Sequence, residues 1–108
     1  MGPGYTNRAK DSQNMKTYAA RKDANDAPLT LTALRLGAFI LHMEPGQGFD
    51  WLLFHRGRVL IVEIKDGSKS TSRQQLTETE KNCQSICNAH GVKYHILRNE
   101  NDLLTLLA

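Results

Sequence analysis

An α/β fold with its elements in the order α-β-β-β-α-β-α is what this sequence of 108 residues predicts. Three observations carry that reading. Short runs rich in Val, Ile, Leu and aromatic residues, bounded by glycine turns, have the length of strands. The two central runs are apolar on both faces, as in a sheet covered on both sides. Longer segments with apolar residues three and four positions apart read as helices.

Taken in order, Asp26 is a possible N-cap and Pro28 suits a first helical turn, so a helix is expected over residues 29–36, stopped by Gly37. Residues 38–43 form a short apolar strand, followed by the glycine-rich loop Pro45-Gly46-Gln47-Gly48. Strands follow over residues 49–54 and 58–65, then a polar loop over 66–72. A helix is expected from about residue 76 to 90, ended by Gly91, then a strand over 92–97 and a short helix over 102–107. Within the central strands, Trp51, Leu53, Leu60, Val62 and Ile64 point one way, and Leu52, Phe54, Val59 and Ile61 the other. Helices or a partner subunit should therefore cover each face.

Residues 1–20 show no hydrophobic periodicity and read as a flexible basic arm, leaving residues 21–108 as a single domain. The net charge of +3 is localised: residues 1–23 hold five basic and two acidic side chains, and the remainder holds nine of each. Such an arm suits a phosphate backbone, or is simply a solvated tail. No apolar run approaches the roughly 18 residues of a membrane span, and no N-terminal apolar stretch suggests secretion, so a cytoplasmic protein is expected. Cys83 and Cys87 lie on one helix face as reduced thiols, and His42, His55, His90 and His95 share no metal-ligand spacing.

The stretch from Gly48 to Gly67 carries the chemistry. A turn centred on Arg56-Gly57 pairs Phe54 with Val59 and Leu52 with Ile61, which brings Asp50 opposite Glu63 on one face. Lys65, two residues on, projects from that same face. Two facing carboxylates repel unless a cation lies between them. A divalent ion with a preference for hard oxygen ligands, Mg2+ or Mn2+, resolves the conflict and accepts substrate phosphate oxygens. A lysine beside it orients water or stabilises charge, the equipment of phosphodiester hydrolysis. The competing reading is a solvent-facing charge cluster with Lys65 neutralising Glu63.

Asp50 followed thirteen positions later by Glu63-Ile64-Lys65 resembles the PD-(D/E)XK nuclease signature. The segments ALRLGAF (33–39), VEIKDGSKS (62–70), LTETE (76–80) and KYHILRNENDLLTLL (93–107) together resemble the virus-type replication-repair nuclease (VRR-NUC) domain. That domain occurs in phage and bacterial proteins and is related to archaeal Holliday junction resolvases. The resemblance covers most of the chain, from about residue 21 to 107. It implies a restriction-endonuclease-like core, a central mixed sheet flanked by helices. It also implies metal binding by Asp50, Glu63 and the backbone carbonyl of Ile64, with Lys65 positioning the attacking water.

Two positions depart from the family pattern. Glu80 stands where the family often has glutamine; it lies on the stripe Leu76, Glu80, Cys83, Cys87, and Thr77-x-x-Glu80 is also a capping box. The usual first-helix glutamate is missing, and Asp26 is either its substitute or a helix N-cap. Arg21, Lys22, Arg56, Arg58, Lys69 and Arg73 are candidate DNA contacts, with solvated surface as the alternative. The expected activity is a metal-dependent endonuclease acting on branched or four-way junction DNA in a bacterial or phage-infected cell. Symmetric junction cleavage calls for a homodimer. A non-catalytic nucleic-acid-binding module that keeps the fold is the alternative, and a structural partner protein with a surface acidic pair is a third.

Overall fold

The structure, a computed structural model, describes residues 24–108. The basic arm, with Arg21 and Lys22, lies outside them. Helix α1 (Asp26–Arg35) is followed by strands β1 (Phe39–His42), β2 (Trp51–His55) and β3 (Arg58–Ile64). A 3₁₀ turn (Thr71–Gln74), helix α2 (Glu78–Ala89), strand β4 (Tyr94–Leu97) and helix α3 (Glu100–Leu107) complete the described chain. The strands form one mixed sheet in the order β1-β2-β3-β4, antiparallel except for the parallel β3–β4 pair. Among the described residues the domain is thus α/β, with three helices against a four-stranded sheet.

The β2–β3 hairpin turns at Arg56-Gly57, both with positive φ (49° and 78°), the combination whose twist matches the flanking strands. Its pairing runs from His55–Arg58 to Trp51–Val62 in the register read from the sequence, but the expected next pair, Asp50 opposite Glu63, does not form, because the Asp50 amide bonds to the Val62 carbonyl instead. The inner row of Trp51, Leu53, Val62 and Ile64 is almost fully buried. Leu29 and Ala33 of α1, Leu103 and Leu107 of α3, and Leu97 pack with it in one core.

Three features differ most from expectation; elsewhere element ends shift by one or two residues. Helix α1 begins three residues early, so Asp26 is its first helical residue and Asn25 its N-cap, without a side-chain capping bond. The Asn25 amide instead donates to the carbonyls of Lys65 (3.2 Å) and Arg98 (2.8 Å), tying the helix start to the ends of β3 and β4. The polar loop after Lys65 carries the 3₁₀ turn, braced by the Gln74 amide on the Lys69 carbonyl at 2.8 Å. The third difference concerns the sheet: α1 and α3 cover one face, while α2 packs beside β4 on the other. Phe39, Leu41, Phe54 and Val59 stay exposed there.

Candidate functional site

The regular β2–β3 ladder stops at Trp51–Val62, and the departure from it builds the site. The Asp50 amide donates to the Val62 carbonyl (2.9 Å), so Asp50 and Trp51 both face Val62, as in a β-bulge. The Ile64 amide, which a continued ladder would pair with Phe49, donates instead to Asp50 Oδ2 at 2.8 Å. One carboxylate oxygen therefore replaces a backbone partner and holds Asp50 against the end of β3. The Asp50 carbonyl accepts from the Met43 amide (2.8 Å), fixing the same residue to the β1 side.

Asp50, Glu63, Ile64 and Lys65 line one cavity of about 330 Å³ together with Asp26, Glu44 and Glu80. Among the described residues, five carboxylates thus line the cavity and Lys65 is the one basic side chain. The Lys65 ammonium lies 3.0 Å from Glu80 Oε1 and 3.5 Å from Glu63 Oε2. Glu80 serves two structures at once. Its Oε1 accepts from the Thr77 amide (2.9 Å), and Thr77 Oγ1 accepts from the Glu80 amide (3.2 Å), completing the capping box of α2. The competing roles read from the sequence are both filled: the cap of α2 aims Glu80 at Lys65.

Glu63 is 3 % exposed, and its Oε1 has no hydrogen-bond partner among the described residues. Burial above all, then the charges of Asp50 and Glu80, pushes its carboxyl up to about 9. Burial likewise raises Asp50, against the stabilising Ile64 amide. For Lys65, burial acts downward, but the bond to Glu80 and the charges of Glu63 and Glu80 outweigh it, and the ammonium is held above its ordinary value. For Glu80, burial acts upward and is outweighed by the Thr77 amide and Lys65, so it stays ionised.

Asp26 reaches the cavity by a route the sequence did not disclose. Its Oδ2 accepts the buried indole N–H of Trp51 (3.1 Å) and its Oδ1 the Thr30 hydroxyl (3.1 Å), with His42 Nδ1 at 3.7 Å. Tyr94 is a neighbour that sequence reasoning missed. Its hydroxyl donates to the Gly48 carbonyl, and burial, followed by the charges of Glu63 and Glu80, drives its phenol upward. Tyr94 pairs with Ile61 across β3–β4, a parallel contact that the sequence does not specify. Gly48 itself has φ +93°, and a Cβ there would sit 2.7 Å from Cys83 Cβ. The loop before Asp50 is thus pinned between β4 and α2.

The candidate DNA contacts are dispersed. Arg56 and Arg58 lie at the hairpin tip, about 20 Å of strand from Lys65 at ~3.3 Å per residue. Arg58 donates to the Leu106 carbonyl at 3.2 Å, which fastens the tip to α3. Lys69 and Arg73 are exposed just beyond Lys65, on the loop and the 3₁₀ turn.

Among the described residues no three His, Cys, Asp or Glu side chains form a ready metal-binding group. The two-carboxylate set nevertheless fits a hard divalent cation that retains most of its waters. The orphaned Glu63 Oε1 supplies an unused buried acceptor, and carboxylates outnumber basic side chains five to one among the described residues that line the cavity. Comparisons with protein-family models, with curated proteins and with solved structures find no match.

Two outcomes follow from this geometry. Because Glu63 binds its proton more tightly folded than unfolded, its contribution to stability is present below about pH 4.5 and is lost as pH rises toward about 9. In EDTA the thermal midpoint should fall across that window, by roughly 4–8 °C for each kcal/mol lost. His95, held low chiefly by burial, acts in the opposite sense near neutrality, so the comparison is with Glu63→Gln, which should flatten the fall. Gly48→Ala, which adds a Cβ at positive φ against Cys83, should destabilise by about 1–3 kcal/mol in urea unfolding.

Proposed function

We propose that this chain is a divalent-metal-dependent endonuclease that hydrolyses DNA phosphodiesters and prefers branched or four-way junction DNA. The observation that carries the reading is the half-buried Asp50 and buried Glu63 sharing one cavity with Lys65. These residues, Asp50 just before β2, Glu63 on β3 and Lys65 just after it, resemble the PD-(D/E)XK signature, and the helices around a mixed sheet are compatible with its restriction-endonuclease-like core.

Asp50, Glu63 and the Ile64 carbonyl are the groups that would hold Mg2+ or Mn2+. When bound, such an ion supplies Lewis acidity and a water of lowered pKa. The protein's own part is positional and electrostatic. The Ile64 amide fixes the Asp50 carboxylate, and Glu80 fixes the Lys65 ammonium. With its proton held tightly, Lys65 is suited to orient the attacking water and offset charge developing on the phosphate, and unsuited to accept a proton. Lys69 and Arg73, just beyond it, are placed for neighbouring phosphates. Junction cleavage on two strands needs two such sites, which a homodimer provides. The setting that fits is the cytoplasm of a bacterial or phage-infected cell.

One observation favours a second reading, a nucleic-acid-binding module without catalysis. Both oxygens of Asp26, at the place of the family's first-helix acid, are already engaged by Trp51 and Thr30. Cleavage of a labelled four-way junction beside linear duplex and single strand separates the two. With Mg2+ or Mn2+ the wild type should cut, the junction most rapidly. EDTA should abolish cutting, and Lys65→Ala should lower the rate by roughly 10²-fold or more. Binding that EDTA leaves unchanged, with no cutting under any metal, would support the second reading and refute the first.

A further inference from the structure

The start of helix α2 divides two hollows. Thr77 and Glu80 line the acid cavity, while Lys81 and Gln84 line a separate groove of about 640 Å³ formed with β4 and the 3₁₀ turn. A helix with its side chains is ~10–12 Å thick, so the two lie close together. They are neighbours on the sheet as well, where Glu63 of the cavity pairs with Ile96 of the groove.

Their charges are opposite. Among the described residues that line the groove there is no carboxylate, and Lys81 and Arg98 bring two positive charges. Neither forms an ion pair among the described residues. Arg98 is held from several sides. Its Nε donates to Gln74 Oε1 (3.0 Å), and the Gln74 amide is itself fixed on the Lys69 carbonyl (2.8 Å). The Arg98 backbone amide donates to Asp102 (2.8 Å), and its carbonyl accepts from the Gly67 amide (3.0 Å) and the Asn25 side chain (2.8 Å). One guanidinium N–H is thereby used, and the two terminal nitrogens make no bond among the described residues. Leu76 and Ile96 give the groove its apolar wall. The side-chain amide of Gln84, half-buried, has no hydrogen-bond partner among the described residues.

We propose that this groove is a second ligand site, a seat for one unpaired nucleotide, free or within a single strand. A fixed arginine with unused terminal nitrogens suits a phosphate, to which a guanidinium donates as a fork, and Lys81 adds a point charge. Leu76 and Ile96 offer an apolar surface to the face of a base. The Gln84 amide presents a donor and an acceptor, as the edge of an unpaired base does. The volume lies within the ~300–1,000 Å³ of small-molecule sites. An inorganic anion would leave Leu76, Ile96 and Gln84 without a role, and an acidic peptide would bring no flat ring to the apolar wall. The site does not rest on the nuclease reading and is tested without cleavage.

The test is an NMR titration of the full chain in EDTA, following the Arg98 Nε–H and Gln84 side-chain amide signals. The probes are thymidine monophosphate, the single-stranded thymidine tetranucleotide, inorganic phosphate and tetraglutamate. Thymidine monophosphate should shift both signals saturably. Phosphate and tetraglutamate should bind at least about tenfold more weakly, a difference of ~1.4 kcal/mol. A tetranucleotide that binds more tightly than the monophosphate assigns the seat to a strand, and equal affinity assigns it to a free nucleotide. Arg98→Gln should weaken binding at least about tenfold, read from the Gln84 signal. Lys81→Gln, which leaves the Gln74 brace intact, should weaken it in the same direction even if Arg98→Gln disturbs the 3₁₀ turn. Arg35→Gln, the same charge change at the end of α1 on the other sheet face, should leave binding unchanged. No saturable shift with the nucleotides, equal binding of phosphate or tetraglutamate, or affinity that survives both Arg98→Gln and Lys81→Gln would each overturn the proposal.

Discussion

A one-residue slip of β3 along β2 would turn Val62 and Ile64 out of the core and drive Val59 and Ile61 into it. The same slip would separate Asp50 from Glu63. Core and site are therefore set by one pairing. The buried row is completely sequestered, with Trp51, Leu53 and Val62 all at 0 % exposure, which gives the register a large apolar driving force. The bulge at Asp50 uses that rigid frame. It frees the Ile64 amide from the ladder and gives it to a carboxylate, so the acid is held by backbone.

The acid cavity is the place where the fold carries a charge conflict. Among the described residues five carboxylates face one ammonium, and Glu63 is buried deeply enough to keep its proton at neutral pH. Protonation is one way to relieve the conflict, and a divalent cation is another. The second would restore the carboxylate and offer a partner to the orphaned Oε1. The surrounding structure holds the conflict in place. The cap of α2 fixes Glu80 and through it Lys65, Tyr94 anchors the Gly48 loop, and Asn25 ties α1 to the ends of β3 and β4. Such over-determination of a costly charge arrangement is characteristic of sites that bind or react.

Much of this was legible in the sequence because it depends on local rules. Period-two alternation assigned Trp51, Leu53, Val62 and Ile64 to one face, a two-residue turn at Arg56-Gly57 specified the register, and Thr77-x-x-Glu80 announced the cap. The alternation stated that both sheet faces are apolar, but not that α1 and α3 would share one of them. Asp26 reads as either an N-cap or a site acid because a capping residue and an inward-facing first-turn acid look alike in sequence; the structure makes it the first helical residue, bonded to the indole N–H of Trp51, 25 residues away. Tyr94 escaped for a similar reason, since its neighbours come from a parallel pairing formed across the intervening helix α2. The bulge at Asp50 was invisible because strand patterning assumes that the ladder continues.

The central claim is that the Asp50–Glu63 pair is built for a divalent cation. Calorimetric titration with Mn2+ at neutral pH, in two buffers of different ionisation enthalpy, tests it most directly. It reads affinity and protons released together, without any assumption about substrate. The account predicts saturable binding accompanied by release of about one proton per site, as Glu63 gives up the proton it holds when the cavity has no cation. Asp50→Asn should weaken the binding, and Glu63→Gln should remove the proton release. No saturable binding in the wild type, or binding that both substitutions leave intact, would contradict it.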